Sequence, residues 1–136
     1  MATYSYSVQT AESDPSQVDE RGSASAREIL AAFDDFDWPG QVDAANRLQK
    51  CSPTFSVKDV DESRLFWVSG IGDSRAISFI NGYTYVADVR RLFGLVRSRR
   101  LVGAPTPELS LGEARQAVEL FTHAEHERLP ALLAGR

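Results

Sequence analysis

The feature that most constrains this chain is the stretch ISFINGYTYV, residues 77–86, in which Asn81-Gly82 separates two β-prone runs. A two-residue type I′ turn needs positive φ at both central positions, and Asn and Gly tolerate that conformation best. The pattern therefore predicts a β-hairpin that turns at Asn81-Gly82. Because side chains alternate along a strand, the predicted core face carries Ile77, Phe79, Thr84 and Val86.

Hydrophobic periodicity in the rest of the chain predicts an α+β fold. A helix capped by Ser25 and a second helix within residues 41–50 precede strands near 54–60, 64–70, 75–80 and 83–89. Residues 89–102 favour an irregular fifth strand, and Ser110 with Glu113 has the capping-box spacing of a helix that extends towards Leu129. The predicted architecture is a four- to five-stranded antiparallel meander sheet, packed against an N-terminal helical pair and a long C-terminal helix.

The N-terminal 24 residues differ from the remainder in composition. Residues 9–24 are polar, contain Pro15 and Gly22, and offer little to bury, so residues 1–24 are predicted to form a flexible arm. Alternation of Tyr4, Tyr6 and Val8 is compatible with a short edge strand over residues 3–8. Residues 25–136 are expected to form a single α+β domain.

Composition and charge restrict the functional class. The 136 residues carry a formal net charge of −4, which disfavours general nucleic-acid binding. A single cysteine excludes an intrachain disulfide and suits a reducing compartment. No run approaches the roughly 18 apolar residues of a membrane span, and the N-terminus lacks a signal-peptide pattern. A cytoplasmic protein without a membrane anchor is therefore expected.

Catalytic and metal-binding patterns are weak. Glu119, His123 and Glu127 recur at helical spacing with His126 beside them, but this spacing matches no established zinc signature. Cys51 has no nucleophile signature around it, and a free cysteine more often packs as a small hydrophobe. We expect no enzymatic activity, no metal site and no cofactor.

Two charge clusters are candidate binding surfaces. Asp34, Asp35, Asp37 and Asp43 flank Trp38 at the end of the first predicted helix. Acids there oppose the helix dipole, so a charge patch for a basic partner is one explanation. The opposite cluster contains Arg90, Arg91, Arg97, Arg99 and Arg100. Those arginines suit either phosphate contacts or a solvated segment that offsets nearby acids.

The motifs DWPGQVDAANRLQ, SPTFSVKDVDESRLFWVSGIGD, AISF and PTPELSLGEARQAVELFTHAEHERLPAL together resemble immunity proteins of bacterial polymorphic toxin systems, in a family associated with deaminase-like toxins. The likeness spans about residues 37–133. It implies inhibition by binding, in which the chain occludes the active site of a cognate toxin domain. Such inhibitors use aromatic anchors ringed by charge. The candidate partner-binding residues are Asp34, Asp35, Asp37, Trp38, Trp67, Asp73, Tyr83 and Tyr85.

Two other functions fit the same sequence. A secretion chaperone for an effector is also small, acidic and α+β, and predicts a homodimer with a wide apolar surface. A nucleic-acid-binding regulator would use the Arg90–Arg100 segment and predicts affinity that falls steeply with salt. The immunity-protein hypothesis predicts a monomer or weak homodimer that binds a different protein, the toxin domain.

Overall fold

A computed structural model describes residues 4–14, 18–61, 64–91, 96–102, 108–125 and 128–133, with side chains outside 85–102. The strands in these ranges are β1 (Tyr4–Gln9), β2 (Asp19–Ala24), β3 (Thr54–Asp59), β4 (Arg64–Asp73), β5 (Ala76–Arg91) and β6 (Val96–Val102). The helices are α1 (Ala26–Asp35), α2 (Trp38–Leu48), α3 (Leu111–Thr122) and α4 (Arg128–Leu133).

The strands form one antiparallel sheet in the order β2-β1-β3-β4-β5-β6. This confirms the α+β class and the antiparallel meander, which comprises β3 to β6. The sheet gains two strands from the segment predicted to be a flexible arm. β1 lies between β2 and β3 rather than at an edge, and its Tyr4 and Val8 are buried. The apolar alternation of β1 therefore supplies core residues, and the polar β2 pairs along it.

The starts of α1 and α3 follow the predicted capping chemistry, whereas α2 begins at Trp38 with Asp37 as its N-cap, three residues before the predicted start. Ser25 with Glu28 and Ser110 with Glu113 each form a reciprocal capping box at α1 and α3. The long C-terminal helix was predicted wrongly, because α3 stops at Thr122. Ala124 has a φ of 57°, which an α-helix cannot contain, and a separate short helix follows.

The predicted turn at Asn81-Gly82 is absent, since β5 runs without interruption from Ala76 to Arg91. The chain instead turns at Ser74-Arg75, between the paired residues Asp73 and Ala76. Its Asp73 carboxylate accepts hydrogen bonds from the backbone N–H groups of Arg75 and Ala76, at 2.8 and 3.1 Å. An aspartate whose side chain accepts a hydrogen bond from the backbone N–H two residues later stabilises a turn by itself.

Burial explains why β5 continues through the Asn-Gly pair. In a continuous strand Phe79 and Tyr83 share one face, whereas a turn between them would place them on opposite faces. Both are buried, at 0% and 8% exposure, and the Tyr83 ring contacts that of Phe121 edge-on at 6.0 Å. The predicted core face was therefore wrong for Thr84, which lies opposite Leu65 and is only half-buried.

Gly82 has a packing role in place of the predicted turn role. It lies opposite Trp67 in the β4–β5 register, and a Cβ added to it would overlap the Trp67 indole. The indole thus covers the glycine on the outer face of the sheet. Covering a strand glycine by a cross-strand aromatic ring compensates for the missing side chain.

We expect Gly82→Ala to destabilise the protein by about 1–3 kcal/mol, because the indole of Trp67 must move. Urea unfolding followed by circular dichroism measures this loss. In a Trp67→Ala background the same substitution should cost markedly less, as the obstructing ring is gone. Equal costs in both backgrounds would contradict the packing role.

The helices cover one face of the sheet. Phe55, Val57, Phe66 and Val68 form the core on that face together with Phe33 of α1. On the other face Leu65 and Ile80 are 36% and 41% exposed. The sheet therefore has one covered and one open face, as antiparallel sheets commonly do.

Candidate functional site

The corner between α1 and α2 is built on Trp38. Its side chain is 3% exposed, its Nε1 donates to the carbonyl of Phe33 at 3.2 Å, and its ring meets that of Phe79 edge-on at 4.8 Å. Pro39 follows at the start of α2, a position that suits its fixed φ. Trp38 is therefore a core residue rather than the predicted partner anchor, and it fixes the position of the residues before it.

An open cleft of about 370 Å³ lies beside this corner. One wall comes from the α1–α2 corner and the other from β1 and β2. The lining residues are Tyr6, Val8, Thr10, Arg21, Ala32, Asp35, Phe36, Asp37 and Gln41. We call this the acidic cleft. Its apolar part consists of aromatic rings and aliphatic side chains, and two carboxylates border it.

The β1 wall is held in place by two contacts. The Tyr6 ring stacks on Phe55 with centroids 5.5 Å apart. The side-chain oxygen of Gln41 accepts a hydrogen bond from the backbone of Ala11 at 2.7 Å, which ties the segment after β1 to α2. The two walls are therefore joined by an α2 side chain and share the same core.

A β-bulge brings Arg21 to the cleft. The β1–β2 register pairs Tyr6 with Gly22 and Ser7 with Glu20, so Arg21 is the extra residue. Gly22 has a φ of 78°, which glycine adopts at little cost. Bulges redirect side chains in this way at sheet edges.

The charges of the cleft do not cancel. The Arg21 guanidinium is 2.8 Å from the carboxylate of Asp19, which offsets its charge. Asp37 accepts a hydrogen bond from the backbone of Gly40 at 3.2 Å as the N-cap of α2. Asp35 is exposed, and within the described part of the chain its carboxylate has neither an ion pair nor a hydrogen bond. The cleft therefore carries an excess of negative charge.

Asp34 belongs to a different contact. Its carboxylate accepts two hydrogen bonds from Arg115 of α3, at 2.9 and 3.1 Å. This hydrogen-bonded pairing raises the pKa of Arg115 above its ordinary value. Asp34 thus joins α1 to α3, and its neighbour Asp35 faces the cleft.

The other predicted partner-binding residues are dispersed. Trp67 lies half-buried on the open face over Gly82, and Asp73 caps the β4–β5 turn. Tyr83 is a core residue whose hydroxyl accepts a hydrogen bond from Arg64 at 2.7 Å, so its ring packs inside the protein instead of facing a partner. Tyr85 pairs with Arg64 in the backbone register, and its side chain lies outside the described set. Of the eight candidates, Asp35 and Asp37 line the cleft.

Sequence reasoning missed the cleft residues Tyr6, Arg21 and Phe36. Tyr6 alternates with Tyr4 and Val8, which indicated a possible edge strand. The polar residues 9–24 that follow indicated a flexible arm and not an inner strand. The sequence signal for the bulge is Gly22 next to Arg21, and glycine in a polar stretch has many explanations.

A second cleft, of about 330 Å³, contains Cys51 together with residues at the end of α2 and in β4. Burial, followed by the charge of Asp14, raises the pKa of the Cys51 thiol above its ordinary value. A thiol with a raised pKa remains protonated at neutral pH and is a poor nucleophile.

We therefore expect Cys51 to react with iodoacetamide more slowly than free cysteine at pH 8. Since only the thiolate reacts, the rate should keep rising as the pH passes about 8.5, the ordinary pKa of a free cysteine thiol. Mass spectrometry of quenched time points measures the rate. A plateau already below pH 8 would contradict the raised pKa and reinstate Cys51 as a nucleophile candidate.

The predicted histidine cluster gives no metal site in the described residues. His123 is the C-cap residue of α3, and its Nδ1 is 2.7 Å from the carbonyl oxygen of Glu119. His126 and Glu127 lie outside the described residues. In the described ranges no three His, Cys, Asp or Glu side chains are close enough to share a metal ion. Nor does any helix there have both the length and the apolarity to cross a membrane.

Comparisons of the chain with protein-family models, with curated proteins and with solved structures found no match. The geometry of the acidic cleft therefore carries the functional argument. A groove with aromatic walls and a carboxylate border suits the side chain of lysine or arginine. In such a groove the aliphatic stem would contact the rings, and the charged head would lie near Asp35 and Asp37.

Proposed function

We propose that this chain is an immunity protein that binds a cognate bacterial toxin domain and inhibits it by occluding its active site. The observation that carries the proposal is the acidic cleft, in which Asp35 has no intramolecular partner among the described residues. The resemblance of residues 37–133 to immunity proteins supports the same function. The protein acts by binding, without catalysis, in the cytoplasm of the cell that makes the toxin.

Among the three aspartates at this corner, Asp35 is the one whose presence folding does not explain. Asp37 caps α2 and Asp34 pairs with Arg115, so folding alone accounts for both. Asp35 ends α1, where a negative charge opposes the helix dipole, and it makes no compensating contact in the described part of the chain. A charge that does not stabilise its own fold is well explained by an external cation.

A toxin that acts on nucleic acid supplies the complementary surface. Its substrate-binding site must be rich in lysine and arginine to hold phosphates. Insertion of one such side chain into the acidic cleft would anchor the complex, and the surrounding contact would cover the toxin's active site. Complementary charge also accelerates association of the two proteins.

The test is capture with tagged protein from the lysate of the producing cell, after nuclease treatment, with mass spectrometry of the bound proteins. The proposal predicts one stoichiometric protein partner, toxic when expressed alone and harmless when this chain is co-expressed. A partner that is not toxic, or whose toxicity persists on co-expression, would refute the immunity function.

A further inference from the structure

The β5–β6 hairpin extends beyond the rest of the sheet. β4 pairs with residues 76–85 of β5, and β6 pairs with residues 85–91, so Tyr85 is the only position that both registers share. Residues 86–91 and 96–101 therefore form a two-stranded segment past the end of β4, which we call the ribbon. β6 lies against β5 and, among the described elements, contacts no other helix or strand to a comparable extent.

The ribbon separates positive charge from an acidic body. Its strands contain five arginines against one aspartate, a formal charge of +4, so the rest of the chain carries −8 of the total −4. The net charge that disfavoured nucleic-acid binding thus combines two regions of opposite sign. An average over the chain does not describe the potential at either one.

The length of the ribbon isolates its charge. Six residues at about 3.4 Å each reach roughly 20 Å past the Arg64–Tyr85 pair. At physiological ionic strength the Debye length is about 8 Å, so the acidic body is largely screened at the far end. The arginines there determine the local potential.

The register also concentrates like charges. Arg90 pairs with Arg97, and Arg91 is next in the strand, whereas Asp88 pairs with Arg99. Like charges at directly opposed positions destabilise an antiparallel pair. A bound anion would relieve this cost.

We propose that the ribbon is a nucleic-acid-binding arm, whose arginines at positions 90, 91, 97, 99 and 100 bind the phosphate backbone. A two-stranded β-ribbon fits the major groove of duplex DNA, which is about 12 Å wide. Recognition is through phosphates and carries no sequence preference. This function is independent of the acidic cleft, because it involves a different region and the opposite charge.

The test is fluorescence anisotropy of a labelled 20-base-pair DNA duplex of arbitrary sequence, titrated with the full-length protein at 50 and 200 mM salt. If three to five phosphates are neutralised, affinity should fall about 40- to 500-fold between these concentrations. The variant R97Q/R99Q/R100Q should bind weakly at both. It should also reduce the slope of log affinity against log salt by about 2.7.

Two controls separate the arm from general charge and from misfolding. The variant R27Q/R47Q/R75Q removes three exposed arginines of the body and should leave the salt slope nearly unchanged. The variant R97K/R99K/R100K retains the charge and should keep most of the affinity. Equal losses in the body and ribbon glutamine variants would overturn the proposal.

Two further outcomes would also overturn it. The first is the absence of duplex binding at 50 mM salt. The second is self-association in sedimentation velocity that the ribbon glutamine variant abolishes, without DNA binding by the wild type. That result would indicate that the ribbon binds the acidic surface of a second copy of the chain.

Discussion

Trp38→Ala should destabilise the protein by about 3–5 kcal/mol, a large share of the stability of a domain this size. The indole is 3% exposed and contacts three aromatic rings, those of Phe33, Phe36 and Phe79. Its removal leaves a cavity and takes one donor from the carbonyl of Phe33, which keeps only the longer hydrogen bond from the backbone of Phe36, at 3.4 Å. Chemical denaturation followed by far-ultraviolet circular dichroism measures the loss.

The second tryptophan is the matched control. Trp67 is half-buried on the open face, so Trp67→Ala should cost clearly less than Trp38→Ala. If Trp38 were the exposed partner anchor that its acidic flanks suggested, its removal would leave stability almost unchanged. Similar small costs for both tryptophans would contradict the packing described for the α1–α2 corner.

Asp35→Asn combined with Asp37→Asn should weaken binding of the captured toxin domain by about 30- to 1000-fold. The double variant removes both carboxylates from the acidic cleft and leaves a cationic side chain of the partner without its counter-charge, at a cost of about 2–4 kcal/mol. Asparagine is as good an N-cap as aspartate, so α2 should remain intact. Isothermal titration calorimetry measures the change.

The control for net charge is Glu108→Gln combined with Glu119→Gln, which removes two exposed carboxylates near and within α3. It should change the affinity by only a few fold, through long-range attraction. Asp34→Asn is a second control for the position of the charge. Asp34 is next to Asp35 in the chain but lies outside the cleft, where it pairs with Arg115. Equal weakening by the cleft and control variants would remove the cleft from the interface.

The starts of α1 and α3 were predictable because the information that sets them is local. Ser25 with Glu28 and Ser110 with Glu113 satisfy backbone donors within one turn, and both capping boxes form. The turn predicted at Asn81-Gly82 was wrong, because the local turn preference of this pair competes with burial of Phe79 and Tyr83 on a common face. The partner rings, Phe121 of α3 among them, lie about forty residues away in the chain, so no local pattern reveals that competition.

The candidate site was predictable only in part. The cluster of aspartates at the end of α1 pointed to the correct corner, and Asp35 and Asp37 do line a cleft there. Sequence could not separate them from Asp34, whose partner Arg115 is 81 residues away. It also could not supply the opposite wall, which depends on β1 inserting between β2 and β3.

The separation of charge between ribbon and body illustrates the same limit. The arginines were visible as a cluster, but the net charge argued against nucleic acid. The register shows that β6 pairs with the part of β5 beyond β4, and that Tyr85 alone is shared with the β4 pairing. Position in the fold, rather than composition, decides which potential a partner meets.

The most direct test of the central claim is titration of the purified toxin domain with this protein, with the toxin's own catalytic turnover as the readout. Occlusion of the active site predicts that activity falls linearly and is abolished at one equivalent. Prior addition of the toxin's substrate should slow the inhibition. A tight complex that retains full activity would contradict the account and indicate a chaperone instead.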